Sequence, residues 1–250
     1  MTEAKGTPIL RIQDVHKAFG EKKVHQGVTL ELNQGEILGL FGGSGTGKSV
    51  ILRSIIGLEK PDRGQILFEG RDIAQLSERE LIGVRKKIGY VFQNGALFDS
   101  FTVEENLAYP LREHTDLNEA EIKARVERML GLIDMKGSNE LLPAELSGGM
   151  QKRAGLARAT ILEPAIILFD EPTAGLDPVN TKRLLDNVHT LKREGITGIF
   201  VTHDIPAALE IADRIAILHK GMIYVNETVE NLKKSKDPLV LSFISGSVEQ

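Results

Sequence analysis

The chain has no cysteine and no tryptophan, and aromatic residues make up only 5% of its 250 residues. The missing cysteines exclude disulfides and thiolate metal sites. The scarcity of aromatics means that the core has to be aliphatic. Long apolar runs are missing too. The longest, such as residues 166–169, fall far short of the roughly 20 residues that span a bilayer. The start, Met1-Thr2-Glu3-Ala4-Lys5-Gly6, lacks the apolar stretch of a signal peptide. The expectation is a soluble, cytoplasmic chain whose association with a membrane would come through a partner. Net charge is small as well, −4 at pH 7, which speaks against a nucleic-acid partner.

What is there is an ordinary globular balance, 41% apolar and 26% charged. The length suits one large α/β domain, with room for a small inserted subdomain. Strand-like and helix-like segments alternate, as α/β folds require. Strands are expected at 10–12, 28–32, 36–41, 65–69 and 88–92, and again at 166–169, 197–202 and 215–218. Helices are expected at 48–56 and 179–194, and a hairpin at His219-Lys220-Gly221 leads into 222–225. Between 95 and 162 strand texture fades. Asn118 with Glu121 marks a helix start, and Ile122, Val126, Met129, Leu130 and Ile133 recur on one face of that helix. The chain therefore divides into a core of 1–94 and 163–225, a helical subdomain of 95–162, and a polar, partly helical tail of 226–250.

Gly42-Gly43-Ser44-Gly45-Thr46-Gly47-Lys48-Ser49 follows a strand and opens a helix, matching G-x-x-x-x-G-K-[ST]. The glycines let successive backbone N–H groups converge on one point, and the helix adds its positive N-terminal end. Lys48 reaches β- and γ-phosphates, and the Ser49 hydroxyl suits Mg²⁺. By itself this motif implies a nucleoside triphosphate and no particular work. Residues 166–169 then end in Asp170 and Glu171, at the carboxyl end of a buried strand where α/β sheets bind ligands. Asp170 is placed for the metal. Glu171, one residue on, is the candidate to polarise an attacking water.

Leu146-Ser147-Gly148-Gly149-Met150-Gln151, just before those acids, resembles the LSGGQ signature of ABC-type ATPases, with Met150 where Gln is usual and Gln151 beside it. The resemblance covers roughly residues 8–230. It implies a P-loop NTPase fold with a RecA-like core sheet, an antiparallel β subdomain and an inserted helical subdomain. It also implies that Ser147, Gly148, Gly149, Met150 and Gln151 face the ATP of the opposite protomer of a homodimer. In the same pattern, Phe19 stands where an aromatic stacks on adenine. Gln93 stands where a glutamine senses Mg²⁺ and γ-phosphate, Asp177 lies in the loop crossing the dimer interface, and His203 stands where a histidine contacts the γ-phosphate. Because Glu171 and His203 are both present, both composite sites are expected to hydrolyse ATP. Lys152, Arg153 and Arg158 on the helix 149–162 are read mainly as a solvated basic face.

Within this family, 93–98, 106–115 and 145–159 resemble the Mla-type lipid-trafficking ATPases. That resemblance implies a membrane permease dimer, an MCE-domain lipid-binding protein, a possible small accessory regulator, and a place on the cytoplasmic face of the inner membrane. Some members carry a longer C-terminal extension that helps hold the dimer, and this chain is expected to lack it. DNA-repair ATPases need coiled-coil arms, for which the fewer than 100 residues between Lys48 and Ser147 leave no room. Translation-factor types normally carry two such domains. A transporter of another solute, and a cell-division-type signalling ATPase, remain open alternatives.

Overall fold

A computed structural model describes residues 8–245, so Met1–Gly6, on which the signal-peptide reading rests, and the last residues of the tail lie outside the described residues. The chain opens on a hairpin, β1 (Leu10–Phe19) and β2 (Lys22–Leu32), around a turn at Gly20 and Glu21. Both strands are longer than the sequence suggested. Irregular register between Ile12 and Val15 breaks the alternation of side chains, so the period-2 signal survives only at the strand ends. With β4 (Arg63–Phe68) and β5 (Arg71–Asp72) they form a four-stranded antiparallel sheet, order β2-β1-β4-β5.

The second sheet has six strands in the order β10-β9-β3-β8-β7-β6. They are β3 (Ile37–Phe41), β6 (Ile88–Val91), β7 (Ile166–Asp170), β8 (Gly198–Val201), β9 (Arg214–His219) and β10 (Met222–Thr228). All neighbours run parallel except β10, which closes one edge antiparallel to β9. A parallel sheet is covered on both faces, so its strands read as unbroken apolar runs. Successive side chains point to opposite faces. Thus Leu38, Leu40, Ile166, Leu168, Ile199 and Val201 join the core shared with the antiparallel sheet and α1 (Lys48–Ile55). Ile37, Phe41, Ile167, Phe169 and Phe200 join a second core. That core also takes residues from α6 (Pro178–Arg193), α7 (Ile205–Ile211) and the tail. The tail holds α8 (Val229–Lys233) and α9 (Pro238–Ile244), with Leu232, Val240 and Phe243 buried.

A third apolar cluster unites α3 (Val103–His114), α4 (Glu119–Leu132) and α5 (Gly148–Thr160). Asn118 caps α4 as its sequence indicates: its side chain accepts from the N–H groups of Ala120 and Glu121, while Glu121 bonds back to the Asn118 N–H. Ile122, Val126, Met129, Leu130 and Ile133 all reach the core. The same box, Ser77 with Glu80, starts the short helix α2 (Glu78–Arg85).

Lys152 and Arg153 do not form a solvated face; both side chains are buried. Helix α5 is packed by α3, α4, α6 and β6, so most of its faces are interior and its cations turn to backbone carbonyls. Arg153 donates to the carbonyls of Ile133 and Asp134 at 3.1 and 2.8 Å. Lys152 donates to the carbonyls of Pro172, at 3.1 Å, and Ala174. Arg158 lies over the ring of Phe98, 5.4 Å from its centroid.

Candidate functional site

The loop 42–49 leaves the carboxyl end of β3 and becomes α1. Its hinge is Gly47, the N-cap, at φ +102. A Cβ there would meet Val24 Cγ1 at 2.4 Å and His25 Nε2 at 2.7 Å, so only glycine fits. His25, buried on β2, sits 3.1 Å from the Gly47 carbonyl through Nε2. A carbonyl only accepts, so Nε2 carries a proton and donates it to Gly47. Burial holds its pKa below the ordinary value. Nothing in the sequence marked His25.

Lys48 is buried within its own loop and donates to the carbonyls of Gly42 and Gly43 at 2.8 and 3.1 Å. Burial lowers its pKa, and the charges of Glu171 and Asp170 oppose that shift. The loop, Phe19, Lys22, Glu171, Thr202, His203 and Phe243 line one cavity of about 750 Å³. That volume falls in the range of small-ligand sites. Phe19 is 46% exposed at the cavity wall, with Lys17 Nζ 5.2 Å from its ring centroid. It is open to stacking with a planar base.

Beside the loop, Ser49 Oγ donates to Asp170 Oδ1 at 2.9 Å, and the Tyr90 hydroxyl donates to Oδ2 at 2.8 Å. Burial and the neighbouring carboxylate push the Tyr90 pKa up, so the phenol stays protonated. A hydroxyl and a carboxylate oxygen suit a hard cation that completes its shell with phosphate and water. No cluster of three His, Cys, Asp or Glu ligands occurs among the described residues.

Glu171 adopts φ +52, a left-handed conformation unusual for a non-glycine residue. Its backbone N–H donates to Val201 at 2.9 Å, and its carboxylate meets His203. Gln93 lies elsewhere. It is exposed just past β6 and is not among the residues lining the cavity.

The signature residues stand apart from that cavity too. Ser147 caps α5, accepting from the Met150 N–H at 3.3 Å, and Ser147 and Gly148 are exposed. Gly149 packs on Asn180 so closely that a Cβ would sit 2.5 Å from its Oδ1. Asn180 in turn bonds Asp177, the cap of α6. Those bonds hold the Asp177 pKa below the usual carboxylate value. Met150 packs into the helical cluster. The Gln151 amide is spent on the Pro143 carbonyl at 2.8 Å.

A phosphate loop after β3, an acid after β7 paired with a histidine after β8, and a serine-glycine helix cap apart from their cavity together define an ATP-binding cassette. The chain belongs to the ABC transporter family, whose model matches residues 25–174. It binds and hydrolyses ATP as the ATPase subunit of such a transporter, and cassettes of this family work as dimers with membrane permeases.

It is 42% identical over 238 residues to the probable ribonucleotide transport ATP-binding protein mkl of Mycobacterium leprae. That match covers 95% of this chain and 69% of the relative. The Mycobacterium tuberculosis protein of the same name also matches at 42%, with 66% of its length covered. The intermembrane phospholipid transport system ATP-binding protein MlaF of Escherichia coli is 39% identical over 239 residues, covering 95% of this chain and 89% of the relative. In structure, cbiO1 from Clostridium perfringens, part of the ABC transporter complex cbiONQ, aligns with TM-score 0.85 at 27% identity over 95% of each chain. The dimeric ATP-binding cassette MJ0796 bound to ADP and Pi aligns with TM-score 0.80 at 31% identity, over 88% of this chain and 98% of that one.

Proposed function

We propose that this cassette powers the movement of phospholipid between membranes, through a separate permease and an MCE-domain partner, from the cytoplasmic face of the inner membrane. The observation that carries this reading is the match to MlaF over 95% of this chain and 89% of that protein. No described helix is long and apolar enough to cross a membrane.

The surface offered to that permease follows β6. Asn106, fully buried, receives the Phe98 N–H and donates to the carbonyls of Phe98, Phe101 and Thr102. It thereby pins the loop that displays Phe98 beside Tyr109 of α3, both exposed, with the Phe101 ring against both. Exposed aromatics over a rigid loop suit the docking of an apolar helix end.

In the proposed cycle, ATP lies between 42–49 of one protomer and 147–150 of its partner, with Phe19 against the base. Ser49 and Asp170 would hold Mg²⁺, which supplies charge neutralisation at the β- and γ-phosphate oxygens. Gln93 would join this site on closure. Lys48 would exchange its loop carbonyls for phosphate oxygens. Glu171 would take up a proton from the attacking water, held in place by His203. Closure draws free energy from the difference in ATP affinity between closed and open dimers.

The test is to isolate the chain from its native membrane in mild detergent and identify its companions by mass spectrometry. A permease, an MCE-domain protein and bound phospholipid support the proposal. A permease with a soluble solute receptor, or with bound nucleotide cargo as the mycobacterial relatives' name suggests, sinks the lipid assignment.

A further inference from the structure

The Asp170 carboxylate is held at both oxygens: by Ser49 on the phosphate loop and by Tyr90 on the edge strand β6. Ser49 belongs to the nucleotide motif. Tyr90 belongs to none of the motifs described above. It pairs in register with Leu168 on β7, two residues before Asp170. Its ring packs against Phe92 with centroids 4.3 Å apart, so the ring has a place of its own that phenylalanine would fill equally well. The hydroxyl's one hydrogen bond among the described residues goes to Asp170 Oδ2.

We propose that Tyr90 is a positioning residue for the metal-binding carboxylate, an inference that rests on the magnesium–nucleotide reading above. A carboxylate rotates in a broad torsional well. A donor fixed on Oδ2 stops that rotation and turns Oδ1 toward Ser49, so the two oxygens offered to the cation are set before it arrives. The hydrogen bond draws some charge from Oδ2, but Oδ1 is the oxygen beside Ser49. Partners of this kind, one bond behind the ligating atoms, typically govern about tenfold to a hundredfold in metal affinity. Because β6 runs directly on to Gln93 and the helical subdomain, the same hydroxyl ties the metal carboxylate to the strand that leads there.

The experiment uses the full chain, a fluorescent ATP analogue and Mg²⁺. Nucleotide affinity is measured in EDTA, then Mg²⁺ is titrated in and the concentration giving half of the affinity gain is read, for the wild type and Tyr90→Phe. Tyr90→Phe should bind the analogue in EDTA as the wild type does, while its Mg²⁺ midpoint rises about tenfold or more. A midpoint within about twofold of wild type overturns the proposal. An EDTA affinity that falls in step with the midpoint also overturns it, since the hydroxyl would then support the fold and not the metal. If the wild type itself gains no affinity from Mg²⁺, the underlying magnesium reading fails, and that outcome is separate from any effect of Tyr90.

Discussion

Glu171 and His203 meet at a single oxygen. Oε2 of Glu171 accepts from the backbone N–H of His203 at 3.1 Å and lies 2.7 Å from its Nδ1. An ionised carboxylate only accepts, so the ring carries its proton on Nδ1. Glu171→Gln keeps an oxygen for the His203 N–H and removes the base. Phosphate release should fall about 10²- to 10⁴-fold, while ATP binding persists and ATP-bound dimers accumulate on size exclusion. Hydrolysis at the wild-type rate would remove Glu171 from the proposed role.

Lys152 ties α5 to the segment that follows Glu171, through the carbonyls of Pro172 and Ala174. Lys152→Met keeps the length of the side chain and strands those acceptors. The expected cost is about 1–3 kcal/mol, or roughly 2–4 °C in melting temperature for each kcal/mol in a chain of this size. Thermal denaturation with and without ATP checks this. An unchanged melting temperature would mean that water satisfies both carbonyls.

His25 gives stability a dependence on pH. Its folded-state pKa is lowered by burial from 6.5, so the unfolded chain takes up the proton first as pH falls. Its contribution is therefore complete above the unfolded value and is lost as pH drops toward the folded one. His25→Leu should flatten the decline in melting temperature between about pH 7.5 and 5.5. Parallel declines in the two proteins would contradict this.

Gly155 on α5 lies against Gly95, just past Gln93. A Cβ on Gly155 would sit 2.7 Å from the Gly95 Cα and 2.8 Å from its carbonyl oxygen. Gly155→Ala cannot be relieved by a side-chain rotation, because the atoms it meets are backbone. It should cost about 1–3 kcal/mol and displace the loop bearing Phe98. Denaturant melts measure the first effect, and permease pull-down the second.

The phosphate loop was legible because its chemistry is contiguous: Gly42 to Ser49 curl around one point, and no distant residue is needed to recognise them. The core strands were legible because burial on both faces demands apolar residues at every position, as from Ile166 to Phe169. The cap of α4 was legible because Asn118 and Glu121 are three residues apart. The basic residues of α5 misled, because charge in a sequence predicts exposure only where the helix has an outer face. Lys152 and Arg153 face other backbone instead.

The sequence by itself determined the nucleotide chemistry and the order of the elements, since both follow from local spacing and from periodicity of burial. Only the tertiary structure decided which distant groups meet. Asp170 finds Ser49 across 121 positions and Tyr90 across 80. His25 finds Gly47 across 22. The physical reason is that strand order in the sheet differs from strand order in the chain: β3, β8, β7 and β6 lie side by side. The Tyr90 hydroxyl acquires its partner only when those strands are laid down in register, and the His25 imidazole only when β2 of the other sheet meets the phosphate loop.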